Sequence, residues 1–492
     1  MHLFSFHTMK TPEEYKESLR KMRANIYKFG ELIEDVTTHP FTRRTIEGHA
    51  QIFEASLMPE YQELLTTISP LTGERVSRYL SIIQSAEDMV ANVKMKRLMF
   101  NLTGTCTGGR CAGFNALNAM WATTYEIDEK MGTSYHKKLR NWLADAQKRD
   151  ITLAGALTDP KGDRTKPPSK QKDPDMSLHL VEKNEDGIVV RGAKVMICGV
   201  AAANEIFVMP GMRYGEEDKD YAISFAIPRD AENLTIVETR RPSDGREAEE
   251  GFDIPVDIGG ITQAYLLFDD VFIPWDRVFM CGEYEFTGNA VMYFIAPYRA
   301  AIGGCVAGQG DIMVGAASLM ARANGLNEKV FKQKLVQMVI NNETTFGMGI
   351  ASAVLGKKHP SGSWIPDQLL ANVNKVHVAT LPYETKRLTQ EIAGGIGETG
   401  CLPSFKDIYD ERYGKKLQKY LSANCSGETR AKIARLIEWL TIGAGVPGCM
   451  HGGGSPDGAK LVINASADIE KLIEMAKRLA NIKEDIEAPK KK

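Results

Sequence analysis

The sequence lacks a strong bias towards one sign of charge, a long apolar run, an internal repeat and any low-complexity segment. Its formal net charge is −2 over 492 residues, which gives no general attraction to nucleic acid or to an anionic membrane. No apolar run approaches the roughly 20 residues that a membrane span needs, and the N-terminus lacks the apolar core of a signal peptide. We therefore expect a cytoplasmic protein that binds neither nucleic acid nor membrane.

The sequence also lacks a clustered set of cysteines. Its 8 cysteines are scattered along the chain, which in a protein of this length does not predict a disulfide framework. In a reducing compartment each cysteine is either a small core residue or a ligand. Apolar residues make up 43% of the chain, an ordinary share for a globular protein, and the length suggests roughly two to four domains.

Hydrophobic spacing divides the chain into three segments. Residues 1–147 are predicted to be helical, with Thr11 as an N-cap before Pro12 and with helical spacing that continues through Ile33. Residues 148–286 contain short β-branched runs separated by turns, which favours a compact antiparallel barrel or sandwich. Residues 287–492 are predicted to be helical again.

Further helices are predicted at about residues 44–58, 74–98, 115–128, 327–355, 366–393, 430–443 and 467–484. Residues 103–111 are too rich in glycine and threonine for a helix interior and are predicted to form a loop. One apolar segment has a series of glycines that predicts close helix packing: Gly303, Gly304, Gly308, Gly310 and Gly315.

Two polar segments in the middle of the chain suggest a binding site. The first, residues 156–164, supplies convergent donors and acceptors after an apolar run. The second, residues 191–199, follows a predicted hairpin with strands at 178–181 and 188–190 and a turn at Asp186-Gly187. Two polar loops at the rim of a small β-domain are suited to gripping a flat heterocycle.

These segments resemble the flavin-contacting segments of the acyl-CoA dehydrogenase fold. The pattern T-D-P-x-x-D-R followed by D-G-I-V-V-R-G-A-K is similar to the 4-hydroxyphenylacetate 3-hydroxylase family, and within it to the branch of 4-hydroxybutyryl-CoA dehydratases/vinylacetyl-CoA Δ-isomerases. The resemblance extends to residues 123–130, 268–274 and 450–456. It implies an α+β protein with an N-terminal helical domain, a central antiparallel β-barrel or sandwich that contacts flavin, and a C-terminal helical bundle for flavin binding and oligomerisation.

The resemblance further implies FAD as the cofactor. It assigns flavin contacts to these residues: Leu157, Thr158, Asp163, Arg164, Cys198, Gly394, Gly395, His451 and Gly452. In the wider fold the position of Cys198 is usually Thr or Ser, and a thiol is a weaker donor than a hydroxyl. In related folds the region of Gly394 binds the FAD of a neighbouring subunit, which implies a homotetramer, although the same glycines could form a plain helix C-cap.

Proteins of the dehydratase branch carry a [4Fe–4S] cluster held by three cysteines and one histidine. Two of these positions match Cys111 and Cys305. The third falls on Thr107, whose neighbour Cys106 could replace it, and the histidine falls on Tyr298, a poor ligand for such a cluster. Two interpretations remain open: an altered cluster on Cys106, Cys111 and Cys305 with a fourth ligand from elsewhere, or the remnant of a lost site.

The acid–base residues of both branches are substituted as well. The two glutamates of the dehydratase branch fall on Gln263 and Gly448, neither of which exchanges protons usefully. The hydroxylase branch uses an Arg-x-x-x-Tyr element, of which Arg110 remains while Phe114 replaces the tyrosine.

Other ionisable residues near the site are therefore candidates for catalysis. We select His451, Tyr298 and Arg110, and favour His451 because imidazole titrates near neutrality. Arg299 and Glu205 are further ionisable residues in the region.

Three functions are consistent with this pattern. The first is an FAD enzyme that acts on a small acyl-CoA by C–H activation, giving dehydration, isomerisation or desaturation, and it is favoured by the overall resemblance together with Cys111 and Cys305. The second is a two-component aromatic monooxygenase supplied with reduced FAD by a partner flavin reductase or electron carrier. The third is a flavin-binding or assembly paralogue whose catalytic site has decayed.

Overall fold

The computed structural model describes residues 9–106, 108–241, 244–245, 249, 252–255, 257–260, 262–396, 401–443 and 451–486. Thr107 and Gly448, which take the positions of a cluster ligand and of a catalytic glutamate in the resemblance, lie outside this part of the chain.

Helices occupy both ends of the chain. Their bounds are α1 Pro12–Arg20, α2 Arg43–Leu57, α3 Pro59–Leu65, α4 Ala86–Thr103, α5 Gly108–Met131, α6 Tyr135–Arg149, α7 Thr287–Ala323, α8 Lys329–Val354, α9 Gln368–Val378, α10 Leu381–Ala393, α11 Phe405–Ile408, α12 Gly414–Leu421, α13 Gly427–Glu438, α14 Pro456–Ser466 and α15 Ile469–Ala480. The predicted cap of α1 is confirmed, since the Thr11 hydroxyl accepts from the Glu14 amide and the Glu14 carboxylate accepts from the Thr11 amide.

Strands are concentrated in the middle of the chain. Their bounds are β1 Ile26–Lys28, β2 Glu31–Ile33, β3 Thr66–Ile68, β4 Arg75–Ser77, β5 Leu153–Ala156, β6 His179–Lys183, β7 Gly187–Cys198, β8 Glu205–Val208, β9 Ile223–Pro228, β10 Leu234–Glu238, β11 Gln263–Pro274, β12 Val278–Cys281, β13 Lys357–Lys358 and β14 Trp364–Ile365. The larger sheet has the order β2-β1-β10-β11-β7-β6 and the smaller one β12-β9-β8-β5.

The two main sheets share one core. Along β11 buried and exposed side chains alternate, as in a strand with one face turned inward, and Phe268 on that strand meets Phe225 of β9 with ring centroids 6.2 Å apart. The arrangement is that of a sandwich, and neither main sheet closes into a barrel among the described residues. It is not purely antiparallel, because β1 pairs with β10 and β5 with β8 in parallel.

The prediction of an all-helical N-terminal segment is wrong at two places. Helix α1 ends at Arg20, and the apolar residues expected to continue it form the hairpin β1–β2. Its turn is made by Phe29 and Gly30, both with positive φ, and Ile26 pairs with Ile236 of the central sheet. Pairing with a distant strand overrode the local spacing, which cannot separate a helix from a hairpin over such short runs. The helix predicted at 74–98 begins only at Ala86 and is preceded by β4.

Glycines of α7 allow it to pack closely against α4 and α8. A Cβ at Gly304 or Gly308 of α7 would overlap backbone oxygens of α4, and one at Gly303 would overlap the Thr345 carbonyl of α8. A Cβ at Gly310 would overlap the Asn342 side chain, whereas Gly315 faces open space. The packing prediction is therefore confirmed for all of these glycines except Gly315.

Helix α7 is also the most apolar helix of the core. The stretch Tyr284–Ala323 is long and apolar enough to cross a membrane by length and composition, contrary to the expectation of no apolar run of that length. In the protein 72% of its apolar window is buried. Burial of this kind is what the central helix of a helical bundle requires.

Candidate active site

Tyr298 lies among cysteines contributed by four parts of the chain. Burial raises the pKa of its phenol well above the ordinary value, and the thiols of Cys111, Cys198, Cys106 and Cys305 raise it further. The structure thus brings together the three predicted ligand cysteines, the predicted flavin contact Cys198 and the predicted catalytic tyrosine. A phenol held protonated in this way can donate a hydrogen bond to a substrate oxygen but is not a base near neutral pH.

Two thiols of this cluster, Cys198 and Cys106, have raised pKa values. Burial, followed by the nearby Cys111 thiol, raises the pKa of Cys198 to about 11 against a small opposing effect of Gln263, whose amide Nε2 donates to Cys198 Sγ at 3.8 Å. Burial also raises the pKa of Cys106 well above its ordinary value. These two thiols are therefore weak hydrogen-bond donors rather than nucleophiles.

The glycine-rich loop at residues 451–454 closes one side of Tyr298. A Cβ at Gly453 would lie 2.5 Å from Tyr298 Cδ1, so only glycine lets the loop pass the ring. The Arg299 guanidinium donates to the Gly453 carbonyl at 3.0 and 2.8 Å, and Lys375 Nζ donates to the Gly452 carbonyl at 2.7 Å. The side chain of His451 is exposed, so in the single chain it does not join the thiol cluster.

The two polar segments that suggested a flavin site meet directly. Lys194 Nζ lies 2.8 Å from Asp159 Oδ1, and both side chains are largely buried. Lys194 also donates to the Leu157 carbonyl at 2.8 Å, the Tyr214 hydroxyl donates to Asp159 Oδ2 at 2.7 Å, and the Thr158 carbonyl accepts from the backbone of residue 195 at 2.9 Å. The backbone of Leu157 and Thr158 is therefore held rigidly at the end of β5.

The remaining predicted flavin contacts do not face the thiol cluster in the single chain. Asp163 and Arg164 are exposed, and the Asp163 carboxylate accepts from the amide and hydroxyl of Thr165 within its own turn. Gly394 and Gly395, both with positive φ, close the C-terminus of α10. These four positions stay predictions, since their role depends on a bound cofactor or a second subunit.

Arg110 is buried in a separate environment, against aromatic rings. Its guanidinium carbon is 3.8 Å from the Phe53 ring centroid and 5.7 Å from that of Tyr79. On the same tyrosine, Lys96 Nζ lies 4.4 Å from the ring centroid. Burial alone would lower the pKa of the Lys96 ammonium, but the thiol of Cys111 and its other neighbours raise it above the ordinary value.

Glu205 is a structural residue rather than part of this site. Its carboxylate lies 2.7 Å from Arg149 Nη2 and 3.0 Å from Arg277 Nη1, and the Trp142 indole donates to it at 3.0 Å. Because the carboxylate is held by these buried partners, it is not available as an acid or a base.

Comparison with protein families matches almost the whole described chain. The model described as 4-hydroxyphenylacetate 3-hydroxylase N terminal covers residues 11–280, and the model described as 4-hydroxyphenylacetate 3-hydroxylase C terminal covers residues 287–481. The chain belongs to the 4-hydroxyphenylacetate 3-hydroxylase family.

Two full-length relatives within the 4-hydroxyphenylacetate 3-hydroxylase family are dehydratases. The chain is 42% identical to the 4-hydroxybutyryl-CoA dehydratase/vinylacetyl-CoA-Delta-isomerase of Clostridium aminobutyricum, over 96% of this chain and 100% of that protein. A solved oxygen-tolerant archaeal 4-hydroxybutyryl-CoA dehydratase from N. maritimus is 40% identical, with a TM-score of 0.94 over 99% of this chain and 97% of that one. The predicted family and branch are confirmed.

More distant structures define the fold. The oxygenase component of 4-hydroxyphenylacetate 3-monooxygenase, solved with FAD and 4-hydroxyphenylacetate, has a TM-score of 0.83 at 24% identity over 96% of this chain and 98% of that one. Butyryl-CoA dehydrogenase from Megasphaera elsdenii has a TM-score of 0.50 at 13% identity over 95% and 99% of the two chains. The mixed helix and sheet fold is thus similar to that of the acyl-CoA dehydrogenases.

The described residues of this family member do not fit a [4Fe–4S] cluster. Within the described ranges no group of three or more His, Cys, Asp or Glu side chains is arranged to hold a metal ion. Tyr298 takes the place of the histidine ligand close to these cysteines, and a neutral phenol is a hard oxygen group unsuited to the iron of such a cluster. A cluster therefore has no part in the chemistry proposed for this chain.

Sequence reasoning missed Lys96, Tyr79 and the pairing of Asp159 with Lys194. Lys96 had a visible signal, because it lies on the apolar face of α4 with Met89, Val93 and Phe100, where a charge is out of place. The Asp159–Lys194 pair had no such signal in the sequence, since nothing in the two motifs shows that their side chains meet.

Proposed function

We propose that this chain is an FAD-dependent enzyme that acts on a small acyl-CoA thioester by C–H activation, giving dehydration, isomerisation or desaturation. The observation that carries the proposal is the 42% identity to a 4-hydroxybutyryl-CoA dehydratase/isomerase across that protein's full length. The buried, largely apolar cluster around Tyr298 supports it, because removing a proton or hydride next to a thioester is favoured where water is excluded.

The proposed FAD is supported by the fold and by the rigid rim of the site. A solved oxygenase component of the same fold contains FAD. The residues that would hold the isoalloxazine are Leu157 and Thr158, fixed by the Asp159–Lys194 pair, and the Cys198 thiol. When bound, the flavin supplies electron or hydride transfer.

Tyr298 is the residue that we propose contacts the substrate. Its protonated hydroxyl would donate to the thioester carbonyl and so make the neighbouring C–H bond more acidic. Arg299 and the loop at 451–454 position the ring, since Gly453 packs on Tyr298 and is held by Arg299.

The deciding assay is anaerobic turnover of a panel of C4–C6 acyl-CoA thioesters: saturated, unsaturated and hydroxylated. Conversion of any member, with a change in the flavin spectrum, supports the proposal. The Tyr298→Phe variant keeps the ring on Gly453 and removes the donor, so it should bind FAD normally while kcat falls about a hundredfold or more, the loss typical of one catalytic donor. Absence of both binding and conversion across the panel contradicts the proposal and favours a decayed paralogue.

A two-component monooxygenase is the second candidate, favoured by one residue. Arg110 is retained from the element that orients a phenol in the hydroxylase branch, and it is buried against the rings of Phe53 and Tyr79. Oxygen-dependent hydroxylation of a phenol with FAD reduced by a supplied reductase would establish this function. Rapid release of peroxide with every phenol would argue against it.

We further propose a homotetramer. The apolar face of α15 is left exposed in the single chain, with Leu479 84% and Leu472 55% exposed, more than an isolated soluble helix normally leaves to water. Sedimentation velocity of the full chain tests this. A Leu479→Glu variant should shift the main species to a smaller assembly, whereas a monomeric wild type would contradict the proposal.

A further inference from the structure

The outer face of helix α8 is apolar although it is turned towards solvent. Its residues recur at helical spacing and are exposed or half-buried in the single chain, and we call them the α8 strip: Val336, Ile340, Thr344, Gly347, Ala351 and Val354. The face of α8 that is directed into the protein is instead mostly polar or small, and includes Asn341, Asn342, Thr345, Gly349 and Ser352. This distribution is the reverse of the one that a helix on a water-facing surface has.

The α8 strip carries no free charge. Between Leu335 and Gly356 the chain has a single charged side chain, Glu343, which lies at the edge of the strip. Its carboxylate accepts from the Arg97 guanidinium at 3.2 and 2.5 Å, so its charge is balanced from within the same chain. Within the strip, Val336 is 59% and Ile340 51% exposed. Exposed apolar side chains with few charges among them are typical of the centre of a protein interface.

The strip is large enough to form a main part of a stable interface. From Val336 to Val354 it is about 27 Å long at the rise of an α-helix and about 10 Å wide, which gives about 300 Å² of mostly apolar surface. Each partner of a standard interface buries about 800 Å², of which roughly 500 Å² is apolar. The strip therefore supplies about half of that apolar area.

The order of large and small residues along the strip fits a second copy of the same helix. When two α8 helices lie antiparallel around a two-fold axis between residues 345 and 346, Ile340 of one copy faces Ala351 of the other. Thr344 then faces Gly347, and the two valines at the ends of the strip face each other. Larger side chains of one helix thus meet small ones of the other, which allows close packing. Because a two-fold contact brings the same surface from both chains, an uncharged strip pairs with itself without repulsion.

We propose that the α8 strip is a contact between two copies of this chain, packed antiparallel around a two-fold axis. This inference rests on the homotetramer proposed above and deepens it. A closed tetramer built from two-fold contacts requires two different interfaces, and the exposed face of α15 supplies one of them. The tests measure assembly and not turnover, so they are independent of the acyl-CoA function.

Gly347 allows a substitution that blocks this contact and leaves the single chain intact. A Cβ at Gly347 meets no atom within 4 Å, so Gly347→Trp should keep the wild-type circular dichroism while its indole keeps a second α8 away. In sedimentation velocity we expect the main species to fall to half the wild-type mass. Ile68→Trp, at an exposed side chain of β3, is the control and should keep the wild-type assembly.

Two results of this experiment would overturn the α8 contact. If Gly347→Trp keeps the wild-type assembly, the contact is wrong and the homotetramer still stands. If the wild type is a monomer, both proposals are wrong. The combination of Gly347→Trp with Leu479→Glu separates the two interfaces, because it should give a monomer where each single variant gives a smaller assembly. A double variant no smaller than the single variants would show that the two substitutions act on one interface.

A cross-link tests the antiparallel arrangement in the folded wild-type background. Thr344→Cys places a thiol of each copy close to the two-fold axis, so a short bismaleimide should join most chains into a covalent dimer on a denaturing gel. Ile68→Cys and the wild type, which has an exposed cysteine of its own at Cys401, are the controls. Covalent dimer no more abundant in Thr344→Cys than in these controls overturns the arrangement.

Discussion

Lys194 Nζ lies 2.8 Å from Asp159 Oδ1, and this ion pair joins the two polar segments that form the proposed flavin rim. The Tyr214 hydroxyl donates to the same carboxylate from a third segment. The pair therefore fixes the carbonyl of Leu157 through Lys194 and links β5 to β7.

Removing one member of this pair should destabilise the protein more than removing both. Asp159→Asn or Lys194→Met alone leaves a buried charge without its partner, at an expected cost of about 3 kcal/mol in the free energy of unfolding. The double variant should recover at least about 1 kcal/mol of the summed loss, because no unpaired charge remains. Urea unfolding of the wild type, the two single variants and the double variant measures this coupling. If the losses in the free energy of unfolding are additive, the two side chains do not interact.

Adding a methyl group at Gly453 should damage the site more than the fold. The new Cβ would lie 2.5 Å from the Tyr298 ring, so Gly453→Ala should displace the phenol and lower acyl-CoA turnover at least tenfold. The matched control is Gly362→Ala, since Gly362 also has a positive φ but faces open space. Both variants should lose about 1 kcal/mol of stability from backbone strain. Equal kcat values for the two variants would contradict the placement of Tyr298.

The ion pairs of Glu205 should make the free energy of unfolding depend on pH in the acid range. Burial alone would raise the pKa of the Glu205 carboxyl, but Arg277, Arg149 and the Trp142 indole hold it below its ordinary value. A depressed pKa contributes stability above the unfolded pKa near 4.5, and that contribution is lost as the pH falls through the lower folded value. Glu205→Gln should cost about 2 kcal/mol at pH 7 and less at pH 3, as measured by urea unfolding at both values. A pH-independent difference would contradict this account.

Several of these features could be predicted from sequence and others could not. The hairpin at Asp186-Gly187 and the packing glycines of α7 carry strong local signals, and both predictions are confirmed apart from Gly315. The strands β1 and β2 could not be foreseen, because Ile26 finds its partner Ile236 more than two hundred residues away. The convergence of Tyr298 with four cysteines depends on how α4, α5, α7 and β7 meet, which no single segment encodes.

Restoring the ligand set of the dehydratase branch should restore iron binding. The wild type lacks a described group that fits a cluster, so anaerobically reconstituted wild type should hold almost no iron. The double variant Thr107→Cys with Tyr298→His completes the three-cysteine, one-histidine pattern and should hold about four iron and four sulfide per chain. Colorimetric iron and sulfide analysis decides between the outcomes. Stoichiometric iron in the wild type would show that Cys106, Cys111 and Cys305 hold an altered cluster.

We propose that this chain is a flavoenzyme for small acyl-CoA thioesters. Its most direct test is the visible spectrum of the anaerobically purified protein, recorded while a short-chain acyl-CoA thioester is added. We expect flavin bands that shift or bleach on saturation with the thioester, and no such change with the free acid or with CoA alone. A protein that holds no flavin, or whose flavin spectrum stays unchanged with every thioester, would show that the chain is not such an enzyme.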